Sequence, residues 1–250
     1  MISMPPEIRA GIIDYANRSF RDVADRDYIA ARTCHRLGLE QQFLWMALQA
    51  LEKYLKAILL FNFQSTKSYG HHVKKAFDAL SLIKDIPFDI PAEVGPFLHY
   101  IEDQGANRYF TQPFFTMGEE LLMLDKSVWH LRLYCQFIRQ GTFQSGGKTV
   151  DWFPLNLAKI HRERHSNRPN SVRVFGGYLE KIIDGRDSPL RRELVWKNFF
   201  YGRRPKKVVK NIVLRSSSGN PTHFMHPAVF GELDKLVKFE PEVRAHFKQP

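Results

Sequence analysis

The most regular hydrophobic pattern in the chain lies between residues 40 and 63, where apolar side chains recur at steps of three and four residues. Because a helical turn takes 3.6 residues, this spacing places them on one face. Gln49, Glu52, Lys53 and Lys56 lie opposite, also at helical spacing. We therefore predict a long amphipathic helix from Glu40 to about Phe63, whose apolar stripe comprises Leu44, Ala47, Leu48, Leu51, Tyr54, Leu55, Ile58 and Leu59.

Three further segments before residue 141 are predicted to be helical. One runs from about Phe20 to Leu37 and stops at Gly38, a residue type that often terminates helices. Another carries Val94, Phe97, Leu98 and Ile101, and the last extends from about Gly118 to Gln140. Since each helix has one apolar stripe, the pattern predicts a mainly α fold in which the four stripes pack together as a helical bundle.

The rest of the chain is less regular. The stretch 141–148 contains glycine and serine and is predicted to be a linker or long turn. Short helices are predicted at 174–183, from Ser188-Pro189 to Phe200, and at 227–237, and a strand at 206–214. This predicts a mostly helical C-terminal region with little strand.

Charge divides the chain in two. Residues 1–144 hold 16 Lys and Arg against 16 Asp and Glu, whereas residues 145–250 hold 21 against 10, which accounts for the whole net charge of +11. We therefore expect a bundle over residues 1–144 and a basic region over residues 145–250, which either folds alone or packs on the bundle. The excess charge fits a polyanionic partner, and it equally fits a solvated basic surface.

Other features exclude some classes of protein. No apolar run reaches the roughly 18 residues that span a bilayer, and the first residues lack the pattern of a secretory signal. The two cysteines, Cys34 and Cys135, do not indicate a disulfide scaffold. These features predict a cytoplasmic protein that does not act in a membrane.

Several features occur together in an order typical of one family. Ala31-Arg32 and Gly38-Leu39 precede the run from Gln49 to Leu59, which has the form Q-A-x-E-K-x-L-K-A-x-L, and His71-His72 and Arg108-Tyr109 follow it. Over residues 20–140 the chain resembles the HEPN family (higher eukaryote and prokaryote nucleotide-binding). The resemblance implies a four- or five-helix up-and-down bundle, often dimeric, with a polar cleft for nucleotide or RNA, and it suggests a defence or toxin–antitoxin setting.

Many HEPN proteins are metal-independent ribonucleases that use an arginine followed four to six residues later by a histidine. Here Arg108 is followed by Tyr-Phe-Thr-Gln-Pro-Phe without a histidine in range, and Arg32-Thr-Cys-His35 has the wrong spacing. The resemblance therefore predicts a nucleotide- or nucleic-acid-binding protein, RNA more than DNA, rather than an enzyme. A ribonuclease with a displaced catalytic group and a dimerisation or interaction module are the alternatives.

The candidate nucleotide-binding residues are Lys53, His72, Arg108 and Tyr109. Lys53 presents a cation from a rigid helix, and His72 precedes a helix whose positive end attracts anions. Arg108 would hold a phosphate and Tyr109 would stack on a base. The structural alternatives are a surface pair with Glu52 for the neighbouring Lys56, a capping or packing role for the histidine, and packing at the end of the bundle for the tyrosine.

The candidate nucleic-acid contacts are Arg203, Arg204, Lys206 and Lys207, which directly follow a cluster of aromatic residues. Phosphates bind such cations, and bases stack on aromatic rings. We expect at least two of Trp196, Phe199 and Phe200 to be buried, so that the cations carry the contact.

Two motif-like stretches fail their chemical requirements. Thr142–Thr149 approaches a phosphate-binding loop but has threonine where glycine is needed, and it follows a helix rather than a strand. His161 and His165 have zinc-like spacing, but the surrounding arginines would repel a cation. We predict neither a metal nor a cofactor.

Overall fold

The structure, a computed structural model, describes residues 4–107, 111–164, 173–185, 188–202 and 216–248 and is mainly helical. The helices are α1 Pro6–Tyr15, α2 Asp22–Arg36, α3 Glu40–Phe61, α4 Val73–Asp78, α5 Val94–Gly105, α6 Glu120–Arg132, α7 Trp152–Arg164, α8 Tyr178–Asp184, α9 Pro189–Val195, α10 Pro227–Leu233 and α11 Pro241–Lys248. The strands are β1 Phe114–Thr116, β2 Thr142–Ser145, β3 Lys148–Asp151 and β4 Ser217–Gly219. No helix within the described ranges is long and apolar enough to cross a membrane.

The helical pair α2–α3 forms the centre of the fold. A π-helical stretch, Ala16–Arg21, leads into α2, and Gly38 adopts a left-handed backbone (φ 73°) in the turn before α3. The predicted apolar stripe of α3 is buried throughout, which confirms the long helix expected from the sequence. α3 therefore serves as the axis on which α1, α2, α4, α5 and α6 pack.

α5 approaches α3 unusually closely. Gly105 lies at its C-terminal end, and a Cβ atom there would come within 2.7 Å of the Leu44 carbonyl oxygen and 2.9 Å of the Leu48 Cβ. Both distances are too short for non-bonded atoms, so this helix crossing requires glycine. α5 and α6 complete the set of predicted helices around α3.

The structure corrects two predictions around residue 140. α6 ends at Arg132 rather than near Gln140, although Leu133, Tyr134, Cys135 and Ile138 stay buried. The apolar spacing indicates which side chains are buried, but it does not show that a helix buries them. Here the side chains are buried by tight turns. Residues 141–148 do not form a linker, because β2 and β3 pair across them as an antiparallel hairpin.

This hairpin depends on two glycines. Gly146 and Gly147 both have positive φ angles, 57° and 75°. Two successive residues of this kind form the turn that matches the twist of paired strands. α7 follows the hairpin directly, and neither α7 nor α1 was predicted from the sequence.

Part of the basic region packs on the bundle. Leu179, Ile182, Leu194, Phe200 and Tyr201 are buried in the same hydrophobic core as α2, α3 and α6. A second, small core joins α10 to α11 through Phe230, Phe239 and Val243. The described segment 173–202 is therefore built on the bundle rather than beside it.

Buried charges also attach this segment to the bundle. The Arg132 guanidinium on α6 donates to both carboxylate oxygens of Asp25 on α2, at 2.7 and 2.9 Å, and to both of Glu180 on α8, at 2.6 Å each. Tyr54 of α3 donates to Asp25 at 2.6 Å, and the Leu179 amide donates to it at 3.2 Å. These contacts define the buried charge network, which joins four helices.

A second buried pair lies beside this network. Arg32 bonds to the carboxylate of Asp125, which also accepts the Tyr28 hydroxyl at 2.7 Å. The other Arg32 donors reach the backbone carbonyls of Glu193, at 3.0 Å, and Trp196. Arg32 and Arg132 thus each bind the bundle and the C-terminal segment at once.

The pKa of Glu180 gives a test of the buried charge network. Burial acts to raise that pKa, but the Arg132 charge and hydrogen bonds outweigh it and hold the pKa below its ordinary value of 4.5. A lowered pKa means that the folded state binds the proton less tightly than the unfolded chain. Glu180 therefore contributes stability above pH 4.5, and this contribution is lost as the pH falls through the lower folded value.

We expect Glu180→Gln to lower the free energy of unfolding at pH 7 by about 2–3 kcal/mol, because it leaves Arg132 with one carboxylate partner. The difference from the parent protein should shrink as the pH is lowered toward 3, measured by urea denaturation. Asp184→Asn is the matched control, since Asp184 lies on the same helix in an exposed pair with Arg173. Equal losses in both variants, or a pH-independent difference, would contradict this role.

Candidate nucleic-acid interface

Lys53 lies on α3 and turns toward α2. Its ammonium group donates to Asp27 at 2.7 Å and to the Gln49 side-chain oxygen at 2.9 Å, and the side chain is 23% exposed. A phosphate at this position would compete with the carboxylate of Asp27. The neighbouring Lys56 forms the expected pair with Glu52, at 2.6 Å.

His72 precedes α4 and turns toward α5. Its Nδ1 lies 3.0 Å from the Glu102 carboxylate, and the same carboxylate accepts the Lys74 amide at 2.8 Å. The negative charge that the start of α4 favours is therefore already supplied by Glu102. Lys53 bonds to α2 and His72 contacts α5, so their hydrogen bonds do not bring these two candidates together.

Arg108 and Tyr109 lie outside the described residues, but both flanks of this short segment are described. The Asn107 side chain accepts the amides of Thr111, at 3.0 Å, and Gln112, at 3.3 Å, and donates to the Gln112 carbonyl at 2.7 Å. One side chain thus joins the two flanks. β1 begins directly beyond them, at Phe114.

Arg203, Arg204, Lys206 and Lys207 also lie outside the described residues, within the segment 203–215, hereafter the basic segment. Its preceding flank is fixed by Asn198, which is buried. The Asn198 side chain accepts the amides of Phe200 and Tyr201 at 2.9 Å and donates to the Tyr28 hydroxyl at 2.8 Å. The Gly202 amide donates to the Asn198 carbonyl oxygen at 2.9 Å, and a Cβ atom on residue 202 would lie 2.1 Å from the same oxygen.

The following flank is held by the β1–β4 ladder. Thr116 of β1 lies opposite Ser217 of β4, and the Thr116 hydroxyl oxygen accepts the Ser217 amide at 2.9 Å. β1 closely follows Arg108-Tyr109 in the sequence, and β4 closely follows the basic segment. The ladder therefore pairs the residues that come after Arg108-Tyr109 with the residues that come after the basic segment. This pairing was not predicted from the sequence, since neither strand exceeds three residues.

The aromatic cluster before the basic segment differs from expectation. We expected at least two of Trp196, Phe199 and Phe200 to be buried, but only Phe200 is; Trp196 and Phe199 are half-buried against the core. The Lys197 ammonium lies over the Trp196 ring, 5.0 Å from its centre, in a cation–π contact.

Sequence reasoning missed a polar cluster at the N-terminal end of α3, formed by His35, Glu40, Tyr100 and Glu120. Glu120, at the start of α6, accepts the Tyr100 hydroxyl at 3.2 Å and the Gly118 amide at 2.7 Å. His35 lies at the end of α2, and its Nδ1 has no hydrogen-bond partner in the described part of the chain. The α2–α3 turn brings His35 and Glu40 together, whereas only the tertiary fold adds Tyr100 and Glu120.

Burial and Glu120 together shift the titration of this cluster. Burial lowers the pKa of His35 below 6.5, which keeps the ring neutral at pH 7; the Glu120 charge opposes this shift, and Arg32 and Lys197 reinforce it. Burial raises the pKa of Glu40 and of Tyr100, and Glu120 adds to both shifts. A neutral imidazole beside a carboxylate is a group able to accept a proton.

Arg32 does not belong to the polar cluster. Its guanidinium is fully buried and is bound by Asp125 and by two carbonyls, so it is not available to a phosphate.

Among the described residues, no group of three His, Cys, Asp or Glu side chains is placed to hold a metal ion. Comparisons with protein-family models, curated proteins and solved structures gave no match.

The charges around His35 predict opposite responses to two substitutions. Lys197→Met removes a cation that disfavours the imidazolium form, so it should raise the pKa of His35, whereas Glu120→Gln should lower it further. NMR titration of the histidine rings measures both. Lys126→Met removes a cation that pairs with Glu93 and should leave His35 unchanged. A His35 pKa above 6.5, or shifts of the same sign in the first two variants, would contradict this description.

Proposed function

We propose that this protein binds RNA through the basic segment and that its helical bundle, HEPN-like in character, is the scaffold for that contact. The supporting observation is the attachment of the described chain on both sides of the segment. Gly202 is fixed by Asn198 on one side, and Ser217 is paired with β1 on the other. A basic segment attached at both ends loses less conformational freedom on binding than a free tail.

The composition of the segment supports a polyanionic partner. Its 13 residues, Arg203 to Arg215, contain six Lys and Arg and no Asp or Glu. RNA supplies phosphates to such cations, and binding releases counterions from the RNA, which favours association at low salt. Arg108 and Tyr109, which precede the strand paired with β4, are the proposed additional contacts to a phosphate and a base.

The bundle's own cations support the same division of roles. Lys53 pairs with Asp27, Arg36 with Glu193, and Arg132 with Asp25 and Glu180. A cation already paired with a carboxylate gains less from a phosphate, because the existing ion pair must first break. Lys53 and His72 are therefore weaker candidates than the basic segment.

The salt dependence of RNA binding tests this proposal. Substituting Arg203, Lys206 and Lys207 by Gln together should weaken binding of a fluorescein-labelled 20-nucleotide RNA roughly 100-fold at 0.1 M salt. It should also reduce the slope of log affinity against log salt by about 2, since each single-strand phosphate contact contributes about 0.7. Fluorescence anisotropy over a salt series measures both quantities.

The matched control is the triple substitution of Lys67, Lys74 and Lys75 by Gln, which changes the net charge equally at exposed positions of the bundle. It should leave the affinity nearly unchanged. Equal losses in the two triple variants would show that overall charge, and not the basic segment, attracts RNA. Tighter binding of the same DNA sequence would overturn the choice of RNA.

The polar cluster favours one second candidate, a metal-independent ribonuclease with His35 as the displaced base. Its support is the lowered pKa of His35, a half-buried residue, which provides a neutral imidazole at pH 7. In this chemistry the imidazole takes the proton of a ribose 2′-hydroxyl, and the 2′-oxygen bonds to the adjacent phosphorus as the P–O5′ bond breaks. The products are a 2′,3′-cyclic phosphate and a 5′-hydroxyl, which takes its proton from the imidazolium or from water.

Incubation of RNA with the protein in EDTA separates the two candidates. If the protein only binds, the RNA stays intact on a denaturing gel. If it cleaves, His35→Ala or Arg108→Ala should abolish cleavage, and Lys126→Met should not. Cleavage that survives His35→Ala would exclude the second candidate as stated.

A further inference from the structure

A cleft lies at the other end of the bundle from the polar cluster. α3 has 22 residues, which corresponds to a length of about 33 Å, and the polar cluster contains its first residue. The cleft is lined by the residues that directly follow its last turn, Asn62 to Gln64, and has a volume of about 960 Å³. Cavities that hold small molecules typically occupy about 300–1,000 Å³.

The cleft combines aromatic rings with cations. Phe63, Phe137 and Phe153 come from the end of α3, the turns after α6 and the start of α7. Arg9 on α1 and Lys84 supply positive charge from two other stretches of the chain, and Arg139 supplies it from the stretch that contains Phe137. This lining offers flat apolar faces to a planar ring and hydrogen-bond donors to an anion.

The backbone at Phe63 supports a role for its ring. Phe63 follows α3 with a φ of 56°, a left-handed conformation that usually belongs to glycine at the end of a helix. A phenylalanine there costs about 1 kcal/mol relative to glycine. The conformation directs the ring to the cleft, where it meets Phe137 edge to face, with 5.9 Å between ring centres.

Arg139 is held in position but keeps donors to spare. Its guanidinium lies over the Phe153 ring, 4.3 Å from the centre, and Nη2 donates to the Lys84 carbonyl at 2.8 Å. Its carboxylate partner, Asp85, is 3.7 Å away and is 71% exposed, so solvent screens that pair. A stacked and oriented guanidinium is well suited to bind a carboxylate or phosphate.

The other charges of the cleft favour an anion as well. Asp151 is engaged at the start of α7, where it accepts the Phe153 amide at 2.9 Å. Arg9 is exposed and bonds to the Met4 carbonyl rather than to a carboxylate. Lys84 is exposed, and no ion pair of the described residues includes it. The lining residues carry the three cations against the carboxylates of Asp85 and Asp151, so their net charge is +1.

We propose that this cleft binds a small ligand with a planar aromatic ring and a carboxylate or phosphate group. The ring stacks among the phenylalanines, and the anion binds the Arg139 guanidinium with support from Lys84. An adjoining apolar groove of about 570 Å³ shares Met4, Phe63 and Gln64 with the cleft but offers no positive charge of its own, so it is not part of the site. This site does not depend on RNA binding by the basic segment.

Titration calorimetry with 1-naphthyl phosphate tests the site, with 1-naphthol as the uncharged match. We expect sub-millimolar binding of the phosphate and at least tenfold weaker binding of the naphthol. Arg139→Gln should weaken phosphate binding about 10- to 100-fold, because a charged hydrogen-bonding partner is lost. A parallel titration with AMP distinguishes a nucleotide from a simpler aryl anion, and binding of either compound with this Arg139 dependence supports the proposal.

Lys159→Gln is the control, since Lys159 is exposed on α7 and does not line the cleft. It should leave the affinity unchanged. Lys84→Gln, at an exposed position, is the second test variant in case Arg139→Gln unfolds, and it should weaken binding severalfold. Absence of binding by both anions, equal binding of the naphthol, or equal affinities in the Arg139, Lys84 and Lys159 variants would overturn the proposal.

Discussion

The fold depends most on the contact of the Arg132 guanidinium with the carboxylates of Asp25 and Glu180. All three side chains are buried, and a charge out of water is stable only while its partners remain in place. A well-packed apolar set in their place would often be as stable, so the contribution of such a network lies in specificity as much as in strength. Because Glu180 belongs to the C-terminal region and Asp25 to the bundle, the network fixes the position of one on the other. A displacement of either part would leave a buried charge unpaired.

This constraint carries forward to the proposed RNA contact. The Arg32 guanidinium binds the carbonyls of Glu193 and Trp196, and Asn198 begins the hydrogen bonds that end at Gly202. The basic segment therefore follows a stretch of chain that is bonded to the bundle core at successive residues. The buried Arg32 and Arg132 are paired with carboxylates, whereas the basic segment contains no Asp or Glu in its own sequence. Structural and binding roles of the cations are thus separated along the chain.

Periodicity predicted the parts of the fold in which neighbouring residues decide the structure. α2 and α3 follow from apolar spacing and from Gly38, and they agree with the structure within a few residues. The predicted end of α6 was wrong because Cys135 and Ile138 continue the apolar pattern although the backbone turns after Arg132. The buried charge network was not predictable, since Arg132 is 107 residues from Asp25 and 48 from Glu180. On a helical wheel a buried arginine only interrupts the stripe. Similarly, the polar cluster unites residues of four helices, and only His35 and Glu40 are near in sequence.

α3 separates two surfaces whose electrostatics differ in kind. At one end, burial keeps His35 neutral near a carboxylate, and at the other, an aromatic ring and a carbonyl orient the Arg139 guanidinium. Salt screens charges exposed to solvent far more than charges that are partly enclosed. Arg139 is 24% exposed, so an anion bound to it would be screened less than an anion bound to a fully exposed cation. The two proposed contacts thus differ in their response to ionic strength: enclosure by the cleft reduces the screening at Arg139, whereas the salt dependence of RNA binding grows with the number of phosphates that the basic segment contacts.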